Sequence, residues 1–222
     1  MLTAVLGKGV YTVGEAARLT QLRPRRVREW FRGRSNSKSR TPVFESDFEP
    51  VAGDFTISFL DLVDVYVAGQ LREHGVSLRN VRRVYDRLGK ELKTAHPFCR
   101  QELLTDGKIV LTRGLDAAGQ EEITEVLTRQ RFFPSILLPF LQRIDYDRMT
   151  VLAQRWNIAP GVVVDPRLCF GAPTIENAGM PTRILSAAYR ANADDAERVG
   201  VWYNLSADQV LDAVRFESSL AA

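Results

Sequence analysis

The sequence predicts a mainly α-helical protein with small β elements, arranged in three parts. Three observations carry this. Apolar residues recur at three- and four-residue spacing between Val13 and Leu88 and again after Thr182. Thr12, Ser58, Ser77 and Ser206 stand just before such stretches, where a short hydroxyl side chain satisfies an orphan N–H. Short β-prone runs flank turn residues in 42–57 and 98–112. The parts are 1–95, with four helices and a hairpin; 96–160, a small α+β module; and 161–222, a three-helix domain.

The first helix is set by Thr12-Val13-Gly14-Glu15, which fits a capping box, followed by the apolar stripe Val13, Ala16, Ala17 and Leu19. Pro24 suits the first position of a second helix, and Gly33 suits its stop in the left-handed region. Within that helix Val27, Trp30 and Phe31 share one side and form its buried face. Arg25, Arg28, Glu29 and Arg32 occupy the other side.

Residues 34–56 are polar, and Pro42-Val43-Phe44 and Phe55-Thr56-Ile57 read as short strands of a hairpin with a basic tip at Lys38 and Arg40. Ser58 opens a broadly apolar and therefore buried helix that Gly75 ends, and Ser77 opens another carrying Leu78, Val81, Val84, Tyr85 and Leu88. In the middle module Asp106-Gly107 sits between the β-prone runs Phe98–Leu103 and Ile109–Thr112, a hairpin signal. Helical stretches follow at Gln120–Thr128 and Ile136–Ile144, then a strand at Met149–Trp156. The last part offers helices from Pro181 or Thr182 to Ala191, from Ala193 to Tyr203, and from Ser206 onward.

Composition bounds the function. Of 222 residues, 45% are hydrophobic and 26% charged, which suits a soluble chain with a core and excludes wholesale disorder. The longest apolar stretches, such as Ile136–Leu141, are too short to span a bilayer, and the N-terminus lacks a signal-peptide pattern. Cys99 and Cys169 match no zinc or redox spacing, so a reduced, cytoplasmic protein without membrane attachment is expected. His74 and His96 are the only histidines, and no phosphate loop, metal spacing or nucleophile–base motif accompanies them. The expectation is no enzyme activity, no cofactor and no metal, with His74 solvated and His96 in a linker.

Charge is concentrated. The whole chain is +3, yet Arg18 to Arg40 alone carries nine Lys or Arg against Glu29, a net +8, so the remainder is net acidic. Such a patch marks either an anion-binding surface, with nucleic acid first, or a solvated basic loop. A short helix anchored by two aromatics with arginines outward meets the needs of a DNA recognition helix. The competing reading pairs those arginines with acids of the same chain. The DNA-binding candidates are Arg23, Arg25, Arg26, Arg28, Arg32 and Arg34, with Lys38 and Arg40 reaching phosphates from the hairpin.

The run YTVGEAARLTQLRPRRVREWFRG, the hairpin, and ISFLDLVDVYVAGQLREHGVSLRNVRRVYDRL together resemble the MerR-like winged helix-turn-helix over residues 10–92. The resemblance rests on Val27-Arg28-Glu29-Trp30 and Gly75-Val76-Ser77-Leu78. It departs in lacking the long dimerising helix of MerR regulators. VVVDPRLCFGAPTIENAGMPTRIL and YNLSADQVLDAVRFE resemble a small helical domain of unknown function found in bacterial and archaeal antitoxin-like proteins. The matching residues are Asp165, Pro166, Gly171, Pro173, Ile175, Thr182, Arg183, Ile184, Leu205, Ser206, Asp208 and Val210, with Pro181 where that family has Gly.

The joint architecture resembles VapB-type antitoxins of type II toxin–antitoxin operons. That resemblance implies operator DNA and a PIN-domain ribonuclease toxin as partners. An alternative is a one-component regulator sensing a small molecule through the middle module. Because one short helix reads few bases, a homodimer is expected, joined through the middle hairpin or the apolar helix Phe59–Leu71. Arg183 either pairs with Asp165 or a nearby carbonyl, or meets the partner. Tyr and Arg anchor interfaces, so Arg183, Tyr189, Arg190 and Arg215 are the toxin-binding candidates, while Trp202 and Phe216 are expected to fill the three-helix core.

Overall fold

Thr12 begins the architecture as the sequence requires. Its backbone N–H donates to Glu15 Oε2 at 2.8 Å, and its hydroxyl accepts from the Glu15 N–H at 3.1 Å. In the computed structural model, which describes residues 6–33, 42–50, 55–103 and 138–221, this box opens helix α1, Val13–Thr20. Gln21 then turns in the left-handed region, and Leu22 N–H returns to the Ala17 carbonyl. Helix α2, Pro24–Arg32, follows with Pro24 in its first turn. Gly33 ends it at φ 75°, ψ 165°, outside the ordinary left-handed well and in a region open essentially to glycine alone.

Strand β1, Tyr11–Thr12, pairs antiparallel with β2, Thr56–Ile57, in the register Tyr11↔Ile57 and Thr12↔Thr56. This corrects the expected pairing of 42–44 with 55–57. The N–H groups of Val43 and Phe44 instead donate to the Trp30 carbonyl at 2.7 and 3.2 Å, and both side chains are buried. They close the C-terminal end of α2 rather than a ladder.

Helix α3, Phe59–Glu73, is capped reciprocally by Ser58 and Asp61. Helix α4, Leu78–Leu92, is capped by Ser77 and buries Val81, Val84, Tyr85 and Leu88. The apolar side chains of α3 from Phe59 to Leu71 are almost all buried within this unit, so the helix does not offer the dimer surface the sequence suggested. Gly69 admits a close approach: a Cβ there would meet Leu22 Cδ1 at 2.8 Å.

After α4 a 3-10 turn, Pro97–Cys99, replaces the expected strand at 98–103. Pro97 starts the turn, and the Phe98 N–H donates to Asp64 Oδ1 at 3.1 Å, so the segment is tied to α3. Arg100 bridges antiparallel to Leu152. The expected hairpin at Asp106-Gly107 and the helix at Gln120–Thr128 lie outside the described residues. Helix α5, Leu138–Leu141, and strand β3, Ile144–Tyr146, occupy the stretch read as one helix.

The described chain divides into two compact units, residues 11–153 and residues up to Val10 together with 154–222. In the second, β4 (Ala153–Ala159), β5 (Val162–Val164) and β6 (Thr174–Ile175) pair antiparallel in that order. Gly161, at φ 68°, makes the β4–β5 turn. Beyond them run α6 (Thr182–Ala191), α7 (Ala196–Tyr203) and α8 (Ala207–Ala221). The three helices lie close to their expected bounds, but the C-terminal part is α+β: β5 and β6 fall within 161–222. Leu185, Val199, Val210, Ala213 and Phe216 form its helical core. The Thr182 hydroxyl donates to Glu217 Oε1 at 2.5 Å, tying α6 to α8.

Candidate nucleic-acid interface

Helix α2 is held by aromatic packing. Val27, Trp30 and Phe31 are buried, as their spacing requires. Phe44 meets the Trp30 ring edge-on at 5.9 Å between centroids, the Phe31 ring at 5.6 Å, and the Tyr85 ring edge-on at 4.8 Å. These contacts couple α2 to α4 through one phenyl group, and edge-to-face pairs of this kind add to simple burial.

The opposite side of α2 is cationic. Arg23, Arg25 and Arg32 are exposed, and Arg26 and Arg28 are half-buried. Arg25 Nε donates to Glu29 Oε1 at 3.1 Å, one turn on, yet its side chain stays 90% exposed. Arg26 lies 3.7 Å from Glu73, and the Arg32 guanidinium sits 5.5 Å from the Phe55 ring centroid. Such exposed pairs contribute little and are readily exchanged for a phosphate. Arg34, Lys38 and Arg40 lie outside the described residues.

One buried cluster was missed by sequence reasoning. His96 is 6% exposed, not in an open linker. Its Nδ1 lies 2.8 Å from Asp64 Oδ2 and its Nε2 3.2 Å from Asp47 Oδ1. Asp64 is fully buried and also accepts from the Tyr85 hydroxyl at 2.9 Å. Asp61 accepts from the Ser58 and Asp47 N–H groups. Burial alone would lower the His96 pKa, but the hydrogen bonds and charges of Asp47 and Asp64 outweigh it and push it up to about 10. Both ring nitrogens therefore carry protons at neutral pH. Burial pushes Asp61 up to about 6 and raises Asp64 as well, opposed in each by His96. Asp64, His96 and Cys99, or Asp47, Asp61 and His96, have donor atoms within 4.8 Å of one another, close enough to share a cation. Their hydrogen bonds to one another and to Tyr85 and Phe98 make the cluster self-satisfied, a polar clamp that joins α3, α4 and residue 47. Sequence spacing could not reveal it, because His96 meets partners 32 and 49 positions away.

In the other unit, Arg183 is exposed and does not pair with Asp165. Arg167 takes that carboxylate with Nε at 2.9 Å and Nη2 at 2.6 Å, two residues along the same turn. The Arg167 hydrogen bonds outweigh burial and lower the Asp165 pKa. Tyr189 is half-buried on α6, Arg190 Nε donates to the Ser186 carbonyl, and Arg215 Nη2 lies 2.6 Å from Asp212 Oδ1. Phe216 is buried as expected, but Trp202 is not. It is 54% exposed beside Val201 at 80%, with Arg198 over its ring at 5.2 Å. Helix α7 buries Val199 and Gly200 instead, and the Leu205 carbonyl would lie only 2.6 Å from a Cβ at Gly200. That close approach turns the indole outward. Phe170, also exposed, sits at φ 56° after Cys169 at φ 45°. Two consecutive non-glycine residues there are a strained presentation of an apolar side chain.

Comparison with known proteins finds three likenesses. The family model of a protein of unknown function, DUF433, matches residues 162–216. The chain is 25% identical, over 92% of its length and 92% of the other's, to a Mycobacterium tuberculosis (strain ATCC 25618 / H37Rv) protein named as a candidate antitoxin, VapB45. It shares the fold of the crystal structure of Rv2018 from Mycobacterium tuberculosis, with a TM-score of 0.72 and 23% identity, over 92% of this chain and 96% of that one. The likeness in sequence is to a protein named as a candidate antitoxin, and the likeness in structure is one of fold. Among the described residues no helix is long and apolar enough to cross a membrane.

Proposed function

We propose that the protein is an antitoxin that binds operator DNA through α2 and neutralises a PIN-domain ribonuclease through its C-terminal unit. The observation that carries the reading is a similarity spanning 92% of both chains to a protein named as a candidate antitoxin, so it covers both ends. The cationic, aromatic-anchored α2 supports the DNA half. In this reading Arg25, Arg28 and Arg32 face the major groove, and Arg23, Arg26, Arg34, Lys38 and Arg40 serve the backbone. The protein acts as a homodimer in the cytoplasm, on a pseudopalindromic site.

The toxin half rests on chemistry as well as likeness. Arg183, Arg190 and Arg215 offer guanidinium groups to an acidic nuclease site, and charge-assisted pairs with carboxylates are among the stronger contacts. Tyr189 and Trp202 add the aromatic area that anchors interfaces. Three variants test the halves separately. Replacing Arg25, Arg28 and Arg32 together by Ala should remove preference for the operator, each lost base contact costing about 1–3 kcal/mol. Lys38→Ala should weaken all sequences evenly and reduce the salt slope by about one. Deleting residues 161–222 should abolish rescue of cells from the toxin. Unchanged operator binding by the triple variant, or full rescue by the truncated chain, would overturn the corresponding half.

A further inference from the structure

Beside α2 lies a cleft of about 430 Å³ whose walls come from three helices. Arg23, Arg25 and Arg26 enter from the first turn of α2, Arg72 from the last turn of α3, and Arg82 from α4. Glu29 is the one acid among the lining residues, where it pairs with Arg25, and Arg26 lies 3.7 Å from Glu73, so the five arginines outnumber the carboxylates beside them. Trp30, buried beneath them, fixes the floor. The start of α2 adds to this field. Its cap, Arg23, makes no side-chain hydrogen bond to the helix, and Pro24 has no N–H, which leaves the positive end of the helix dipole uncapped by any acid. Asp86, one turn beyond Arg82 on α4, is not part of the lining.

An excess of cations in a concave site attracts anions, and low-dielectric walls focus that field. A guanidinium fork matches the oxygens of a phosphate. We infer that this cleft is a phosphate-binding site, with Arg72 and Arg82 as its walls outside the recognition helix. The inference rests on the reading that α2 meets DNA only for one of its two sources. The phosphate belongs either to the duplex backbone, held next to the groove that α2 reads, or to a small phosphorylated molecule.

The experiment uses the full chain, its own upstream duplex, a scrambled duplex, and inorganic pyrophosphate. Arg82→Gln is the principal variant, because Arg72 also donates to the Val76 carbonyl at 2.5 Å and supports the α3–α4 turn. For a backbone phosphate, Arg82→Gln should weaken both duplexes alike, about five- to tenfold at physiological salt, and lower the salt slope by about one. For a free phosphorylated ligand, pyrophosphate should raise the melting temperature of the parent chain and not that of Arg82→Gln, with duplex binding unaltered. Should Arg82→Gln not fold, Arg82→Lys, which keeps the charge and loses the fork, should still lower affinity in the same arm. If duplex affinity, salt slope and the pyrophosphate shift are all unchanged, no phosphate enters the cleft. An Arg28→Ala control separates the two readings. Operator preference lost there with Arg82→Gln inert defeats the cleft alone. A parent chain that binds pyrophosphate at Arg82 but no duplex defeats the DNA reading and keeps the cleft.

Discussion

His96 decides more than its place before Pro97 suggests. It is the counter-charge of Asp47 and Asp64. Removing one partner of a buried ionic set leaves the others uncompensated, so His96→Ala should cost about 3–5 kcal/mol at neutral pH. The pH dependence has a definite sign. A histidine near 6.5 when unfolded and about 10 when folded binds the extra proton in the folded state. Its stabilisation is complete below pH 6.5 and is lost as pH rises through about 10. Asp61, raised to about 6, works in the same direction between pH 3.8 and 6. Melting curves should fall from pH 7 to 10 in the parent chain, with a much flatter profile in His96→Gln. Parallel profiles would show that the imidazolium is not the group that titrates.

At this scale the sequence was legible where partners are near. Thr12 and Glu15 stand three positions apart, as do Ser58 and Asp61, so a local cap is written in the spacing. The Arg183–Asp165 pairing failed because Arg167 reaches the same carboxylate without leaving the turn. A nearer partner loses less side-chain freedom for the same contact.

Among the elements, α2 depends on a residue outside it. Phe44→Ala should cost about 3–5 kcal/mol through its cavity, and should weaken DNA binding by loosening the contacts to Trp30 and Phe31. Chemical denaturation and a mobility shift on the same variant check both effects. Helix α7 makes the complementary case. Gly200→Ala would push a methyl against the Leu205 carbonyl, so it should destabilise the C-terminal unit by about 1–3 kcal/mol. Trp202→Ala should leave stability within about 0.5 kcal/mol, as surface changes do, yet weaken toxin binding at least tenfold if the indole anchors it. Calorimetry with purified toxin separates these outcomes.

The contrast shows what element-level pattern can convey. Val27, Trp30 and Phe31 give a face that a core must cover, and the structure covers it. Helix α7 has apolar residues on both sides, and periodicity alone cannot say which side is covered; Gly200, packed against the turn at Leu205, does. The short strands β5 and β6 span three and two residues, too few for a period to register.

For the whole molecule, two compact units accord with two separable tasks. The basic run in one and the arginine side chains of the other were readable from the sequence, whereas the exposure of Trp202 was not. Sedimentation at micromolar concentration should show a dimer, alone and on operator DNA. A monomer in both states would remove the half-site argument for recognition. The antitoxin reading itself turns on ribonuclease activity. A cognate PIN-domain ribonuclease should lose RNA cleavage stoichiometrically on addition of the full chain, and a C-terminal deletion should leave cleavage intact. Cleavage that persists with excess full-length protein would contradict the reading outright.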